Sequence, residues 1–100
     1  MPIAGDLRAG DATVEGRFGT ILVEAETRLT DIQAVTRKAA LKRRDLGANR
    51  LILLISDTPN NRRALELHPE VREHLPISTR KCLAALARGD DPGGDCLVVR

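Results

Sequence analysis

The sequence predicts an α/β domain in which a mixed β-sheet is flanked by helices, in the order β-β-α-β-α-α-β. Three observations lead to this prediction: a glycine-bracketed turn between two short β-prone runs, a helical segment with clear end signals, and a continuous apolar run of strand length. The chain has 100 residues, of which 42% are hydrophobic and 30% charged, enough for one hydrophobic core. Residues 1–100 are therefore expected to form a single domain.

The first two strands are expected to form a hairpin. Ala12 to Glu15 and Thr20 to Glu26 are short β-prone runs, and Gly16-Arg17-Phe18-Gly19 between them has the length and composition of a hairpin turn. Side chains alternate along a strand, so Glu24 and Glu26 are expected on the same face of the second strand.

A helix and a buried strand come next. Thr30-Asp31-Ile32-Gln33 has the form of a capping box, with Thr30 as the cap, and Gly47 is a suitable residue just past the end of a helix that runs to about Leu46. The apolar run Leu51 to Ile55 is typical of a strand that is buried on both faces, and we expect it inside the sheet. A strand, a helix and a buried strand in succession imply a parallel crossover.

Two further helices and a last strand complete the prediction. A turn at residues 57–60 leads into a helix from about Asn61 to His68, after which two prolines interrupt the pattern. Ser78 is a suitable cap for a helix that ends at Gly89, and Cys96 to Val99 is the closing strand.

Composition narrows the function classes. Phe18 is the only aromatic residue, which argues against nucleic-acid binding by base stacking, and the net charge of +2 is a weak indication of nucleic-acid contact. No apolar run approaches the ~20 residues of a membrane span, and the first residues do not resemble a signal peptide, so a cytoplasmic location is expected. The spacing of Cys82 and Cys96 supports neither a zinc site nor a disulfide, and no motif for a small-molecule cofactor is present.

Three carboxylates form the candidate site. Pairing across the glycine turn places Asp11 level with Glu24, and Glu26 follows two residues later, at separations of about 4.8 Å between strands and about 6.6 Å along one strand. These carboxylates could share one divalent ion. The alternative is an exposed acidic strand end that is neutralised by Arg28 and Arg37.

Several segments resemble a known superfamily of nucleases. Asp11, the VEAETRL segment at residues 23–29, Gln33 on a helix and the LILLIS strand at residues 51–56 resemble the PD-(D/E)XK, or restriction-endonuclease-like, superfamily. More narrowly, residues 5–45, 52–58 and 91–99 are similar to the C-terminal domain of actinobacterial helix-turn-helix regulators. This resemblance covers nearly the whole chain.

The resemblance implies roles for individual residues. Asp11 and Glu24 match the two carboxylates that hold Mg²⁺, and Glu26 stands where the superfamily has a lysine. Gln33 and Arg37, on one helical face, match a Gln-led motif beside the metal, with Arg37 or Lys38 as a substitute cation. The expected catalytic set is thus Asp11, Glu24, Glu26, Gln33 and Arg37, and the expected metal ligands are Asp11, Glu24 and Glu26.

The sequence therefore predicts a DNA-associated nuclease-like domain with a Mg²⁺ site and weak or absent activity, since Glu26 replaces the lysine. The superfamily core begins with a helix and a strand before the Asp strand, and only residues 1–8 precede it here, so that helix is expected to be absent and the chain to be truncated. The helix faces left bare are expected to form a homodimer. The alternative is a non-catalytic regulatory or dimerisation domain of a helix-turn-helix regulator. A component of a toxin–antitoxin pair is a third hypothesis.

Overall fold

A β-hairpin opens the computed structural model, which describes residues 10–100, with side chains from residue 12 onward. Strands β1 (Gly10–Gly16) and β2 (Gly19–Glu26) pair antiparallel around a two-residue turn. Gly19 has a φ of 96°, and a Cβ there would lie 2.1 Å from Asn49 Oδ1, so only glycine fits. The predicted hairpin is confirmed. The prediction that no helix precedes Asp11 concerns residues before Gly10, which lie outside the described residues.

Helix α1 (Ile32–Leu46) begins after a side-chain cap and ends at a glycine. Asp31 is the N-cap, and its Oδ1 accepts a hydrogen bond from the Ala34 amide at 3.1 Å. The cap predicted at Thr30 was wrong by one residue, because Asp31 has the extended backbone of a cap and a carboxylate caps at least as well as a hydroxyl. Gly47 ends the helix in the left-handed conformation, as predicted.

Within residues 10–100 the sheet has four strands, in the order β1-β2-β3-β4. Strand β3 (Arg50–Ile55) pairs parallel with β2, and β4 (Cys96–Val99) pairs parallel with β3. The sheet is therefore mixed, with β1 as the antiparallel strand, and β3 lies inside it as predicted. Helix α1 connects β2 to β3 and forms the predicted parallel crossover.

Three helices, one more than predicted, lie between β3 and β4. They are α2 (Pro59–Leu67), α3 (Glu70–His74) and α4 (Thr79–Ala87). The five-residue α3 was missed because prolines bracket it, and the observed order is β-β-α-β-α-α-α-β. Thr58 caps α2, and Ser78 caps α4 as predicted. No helix within residues 10–100 has the length and apolar composition to cross a membrane.

The two faces of the sheet carry separate cores. Alternation along β2 sends Leu22 to one face and Ile21 to the other, and both are fully buried. The first face packs against α1, α2 and α3, with Leu53 of β3 at its centre. The second face packs against α4, where the free cysteines Cys82 and Cys96 are buried. The candidate site residue Glu24 belongs to the first face.

Candidate functional site

The hairpin register brings the two main predicted ligands level. Asp11 of β1 is the direct partner of Glu24 of β2 in the antiparallel ladder, as the turn length predicted. On the other side of β2, Glu24 is level with Leu53 of the buried strand β3. Glu24 is thus near the middle of the sheet and is only 2% exposed.

A lysine from α1 neutralises the buried carboxylate. The Lys42 Nζ lies 3.1 Å from Oε1 and 3.5 Å from Oε2 of Glu24. The Glu24 side chain is 3% exposed and that of Lys42 is 30% exposed, so the ammonium closes the carboxylate off from one side while keeping contact with water. A buried carboxylate requires a partner of this kind, because an isolated charge in the core is very costly.

The identity of this cation differs from expectation. Arg37 or Lys38 was expected as the cation beside the site, and Arg28 with Arg37 in the alternative hypothesis. The cation that contacts Glu24 is Lys42. Lys38 lies four residues earlier, on the same flank of α1, but it is exposed.

The third predicted ligand lies at the end of its strand. Glu26 is the last residue of β2 and is level with Ile55 of β3. It is partly exposed, and it forms no ion pair with any of the described side chains. Alternation places it on the same face as Glu24, about 6.6 Å further along the strand.

The described side chains do not fit a divalent ion as they are arranged. Glu24 supplies the hard oxygen donors that Mg²⁺ prefers, but both oxygens face the Lys42 ammonium. In the part of the chain that the structure describes, no group of three His, Cys, Asp or Glu side chains is placed to hold a metal ion. An ion bound to Glu24 would have to displace Lys42.

Gln33 and Arg37 lie on the other flank of α1. Gln33 is nine positions before Lys42, which at 3.6 residues per turn is half a turn around the helix. Both residues line a cavity of about 360 Å³, and Glu24 is not among the residues that line it. The structure therefore brings Gln33 and Arg37 together with each other, and it separates them from Glu24.

The cavity lies between α1, β3 and α3. Leu51 and Leu53 of β3, together with Leu75, are buried and form its apolar floor. At one end of the cavity, Asp95 Oδ1 accepts a hydrogen bond from the Leu51 amide at 3.0 Å. Asp95 Oδ2 forms an ion pair with Arg43. Both oxygens of the one carboxylate that lines the cavity are therefore already engaged.

The rim of the cavity is basic and polar. Arg37 and His74 are both exposed there, and neither forms an ion pair with another described side chain. Glu70 lies just outside the lining. Its pKa is below the ordinary value because its carboxylate accepts hydrogen bonds from its own backbone amide and from His68, with a smaller effect from Gln33.

A buried asparagine that the sequence reasoning missed holds the strand ends together. Asn61, in the first turn of α2, is 1% exposed. Its Nδ2 donates to the carbonyls of Thr27 at 3.0 Å and Ser56 at 2.9 Å, and its Oδ1 accepts from the Leu29 amide at 3.0 Å. It joins the loop before α1 to the loop after β3. The sequence carried one signal: Asn61 lies four positions before Leu65, on the apolar face of α2.

Comparison with known proteins gave no match: no protein-family model, no curated protein and no solved structure resembles this chain closely enough to be counted. Function is therefore inferred from the contacts of Glu24, from the lining of the cavity and from the resemblance of the motifs.

Proposed function

We propose that the chain is a DNA-associated, nuclease-like domain in which Asp11 and Glu24 correspond to a Mg²⁺ site, and that it cleaves DNA weakly or not at all. The observation that carries the proposal is the pairing of Asp11 with Glu24, next to the Lys42 ammonium. This pairing supports the match of both residues to the two carboxylates of the superfamily motif.

Lys42 accounts for the low activity. Its ammonium supplies positive charge beside Glu24. The superfamily has a lysine in this region, at the position that Glu26 occupies here. The same ammonium competes with a metal ion for the Glu24 oxygens. Because the pair is largely buried, breaking it costs several kcal/mol of electrostatic and hydrogen-bond energy, and metal binding must meet that cost.

Exposed cations on α1 support contact with DNA. Arg37 and Lys38 are exposed and make no ion pair within residues 12–100, so both are free to contact phosphates. The net charge of +2 is small and two cations are proposed to contact phosphates, so the binding should be weak and should depend only modestly on salt.

The homodimer is also proposed, with α1 as part of the contact. Leu41 and Leu46 of this helix are 44% and 56% exposed, so they offer apolar surface that a second copy of the chain could cover. Sedimentation of the wild type against Leu41→Glu tests this directly. A dimer that the substitution dissociates supports the proposal, and a monomeric wild type contradicts it.

The second candidate is a non-catalytic regulatory or dimerisation domain. The observation that favours it is the Glu24–Lys42 pair itself, because a carboxylate whose two oxygens face an ammonium is a stable structural element without any metal. On this hypothesis the nuclease-like hairpin has only an architectural role.

Nicking of supercoiled plasmid in Mg²⁺ or Mn²⁺ separates the two candidates. Slow nicking that Asp11→Ala and Glu24→Ala both abolish supports the nuclease-like domain, and Lys81→Ala, at an exposed position of α4, is the matched control. Complete inactivity together with salt-dependent DNA binding supports a domain that retains DNA contact only. Absence of both nicking and binding contradicts the association with DNA and favours the regulatory domain.

A further inference from the structure

The cavity between α1, β3 and α3 has the features of a binding site that is separate from the Glu24 region. Its volume of about 360 Å³ is within the range of small-molecule sites and too small for a packed helix or a folded partner. Leu53 of its floor is fully buried in the core of the sheet, and α1 forms one wall. The floor is therefore part of the hydrophobic core.

The chemistry of the floor favours an aliphatic ligand body over a nucleobase. Leu51, Leu53 and Leu75 are aliphatic, and no Phe, Tyr or Trp lines the cavity, so the floor has no large ring on which a nucleobase could stack. An aliphatic floor favours a flexible hydrocarbon body, whose burial releases about 25 cal/mol for each Å² of apolar surface.

The charges around the cavity favour an anion. Asp95, whose two oxygens contact Arg43 and the Leu51 amide, presents no free carboxylate to a ligand. Arg37 remains at the rim without an ion-pair partner among residues 12–100. A guanidinium at the edge of an apolar cavity matches a carboxylate or phosphate head, which it can hold with two parallel hydrogen bonds.

We propose that this cavity binds a small amphipathic anion, with an aliphatic body against Ala40 and the accessible edges of Leu51 and Leu75, and a carboxylate or phosphate head at Arg37. The site is separate from the Glu24 region, since Lys42, which contacts Glu24 of β2, lies on the opposite flank of α1. It shares Arg37 with the proposed DNA contact. Gln33 and Arg37 are then ligand-binding residues of this cavity.

Titration calorimetry of the full chain with decanoate tests the proposal. We expect saturable binding of one ligand per chain with a Kd of about tens of micromolar, as is usual for a ligand of this size. Decyl phosphate is titrated in parallel, and the tighter of the two anions identifies the preferred head group. Decanol, which has the same body without charge, should bind at least about tenfold more weakly.

Two variants locate the site on the cavity. Ala40 lines the wall but is exposed, so Ala40→Trp should fill the cavity without unfolding the domain, and it should abolish binding. Arg37→Gln should weaken decanoate about tenfold and leave decanol unchanged. Lys38→Gln, on the next position of the same helix, is the control and should bind as the wild type does.

Three results would overturn the proposal. They are the absence of saturable binding to the wild type, binding to Ala40→Trp that equals the wild type, and equal affinity for decanoate and decanol. Thermal melting of each variant establishes that it is folded. Glu24→Ala distinguishes this proposal from the proposed nuclease-like function. Decanoate binding that is intact in Glu24→Ala supports the cavity site, whether or not the substitution abolishes metal binding or nicking.

Discussion

On the flank of α1 that faces β2, the Lys42 ammonium contacts a carboxylate that is only 3% exposed. On the flank that faces β3, the Arg37 guanidinium stands at a cavity and forms no ion pair with the described side chains. The first flank is closed by a charge pair, and the second has an open apolar floor. Substitutions on the Lys42 flank should therefore change the stability of the domain. Substitutions of exposed residues on the Arg37 flank should change binding of the anion proposed for the cavity.

The largest effect should come from the residue on which both flanks depend. Asn61→Ala leaves the carbonyls of Thr27 and Ser56 and the Leu29 amide without their partner, and these groups anchor the loop that starts α1. We expect a loss of about 3–4 kcal/mol in the free energy of unfolding. Urea unfolding measures it. Asn60→Ala, an exposed neighbour, should change stability by less than about 0.5 kcal/mol.

On the closed flank, Lys42→Met should destabilise the domain by about 2–3 kcal/mol, toward the lower end for a broken buried pair because the lysine is 30% exposed. Adding Glu24→Leu to Lys42→Met should recover most of the loss, since no charge then remains in the core. Lys38→Met is the control. A Lys42→Met variant as stable as the wild type would show that the pair is not part of the folded state in solution.

On the open flank, the Asp95 carboxylate should contribute more to the stability of the domain than the unpaired Arg37 does. Asp95→Ala removes the acceptor of the Leu51 amide and the partner of Arg43, and we expect a loss of about 2 kcal/mol by urea unfolding. Asp95→Asn keeps an acceptor for the amide and should lose less. If the two variants were equally unstable, the ion pair with Arg43 would be the dominant contact.

The smallest effect should be the acid dependence at the rim. The pKa of Glu70 is lowered in the folded state, chiefly by a hydrogen bond from its own backbone amide and then by His68, so its contribution is present above its unfolded pKa of about 4.3. That contribution is lost as the pH falls through the lower folded pKa. Glu70→Gln should show a slightly flatter decline of melting temperature between about pH 5 and pH 3. Identical declines would contradict the assignment.

Much of the architecture followed from local signals. Two glycines in Gly16–Gly19 fixed the hairpin and its register, and the apolar run at Leu51 to Ile55 indicated an inner strand. Helix α3 was not predicted because it has only five residues and a proline lies at each end, so the sequence shows no helical periodicity there. Its position depends on Val71 packing into the core, which is a tertiary contact.

The site was harder to predict than the fold. The level pairing of Asp11 with Glu24 follows from turn length, so the sequence predicted it. The partner of Glu24 does not follow from sequence, because Arg37, Lys38 and Lys42 are all on α1 and only the rotation of the helix on the sheet selects Lys42. The same rotation turns Gln33 away from Glu24 and toward the cavity.

The most direct test of the account is the melting temperature of the wild type and Lys42→Met as Mn²⁺ or Mg²⁺ is raised to millimolar concentration. If Lys42 occupies the place of a metal ion at Glu24, the ion should stabilise Lys42→Met more than the wild type, by about 5 °C for each ~1 kcal/mol of binding energy. Adding Glu24→Gln to Lys42→Met should remove that increase. Equal increases in the wild type and in Lys42→Met, or an increase that persists with Glu24→Gln, would contradict the account.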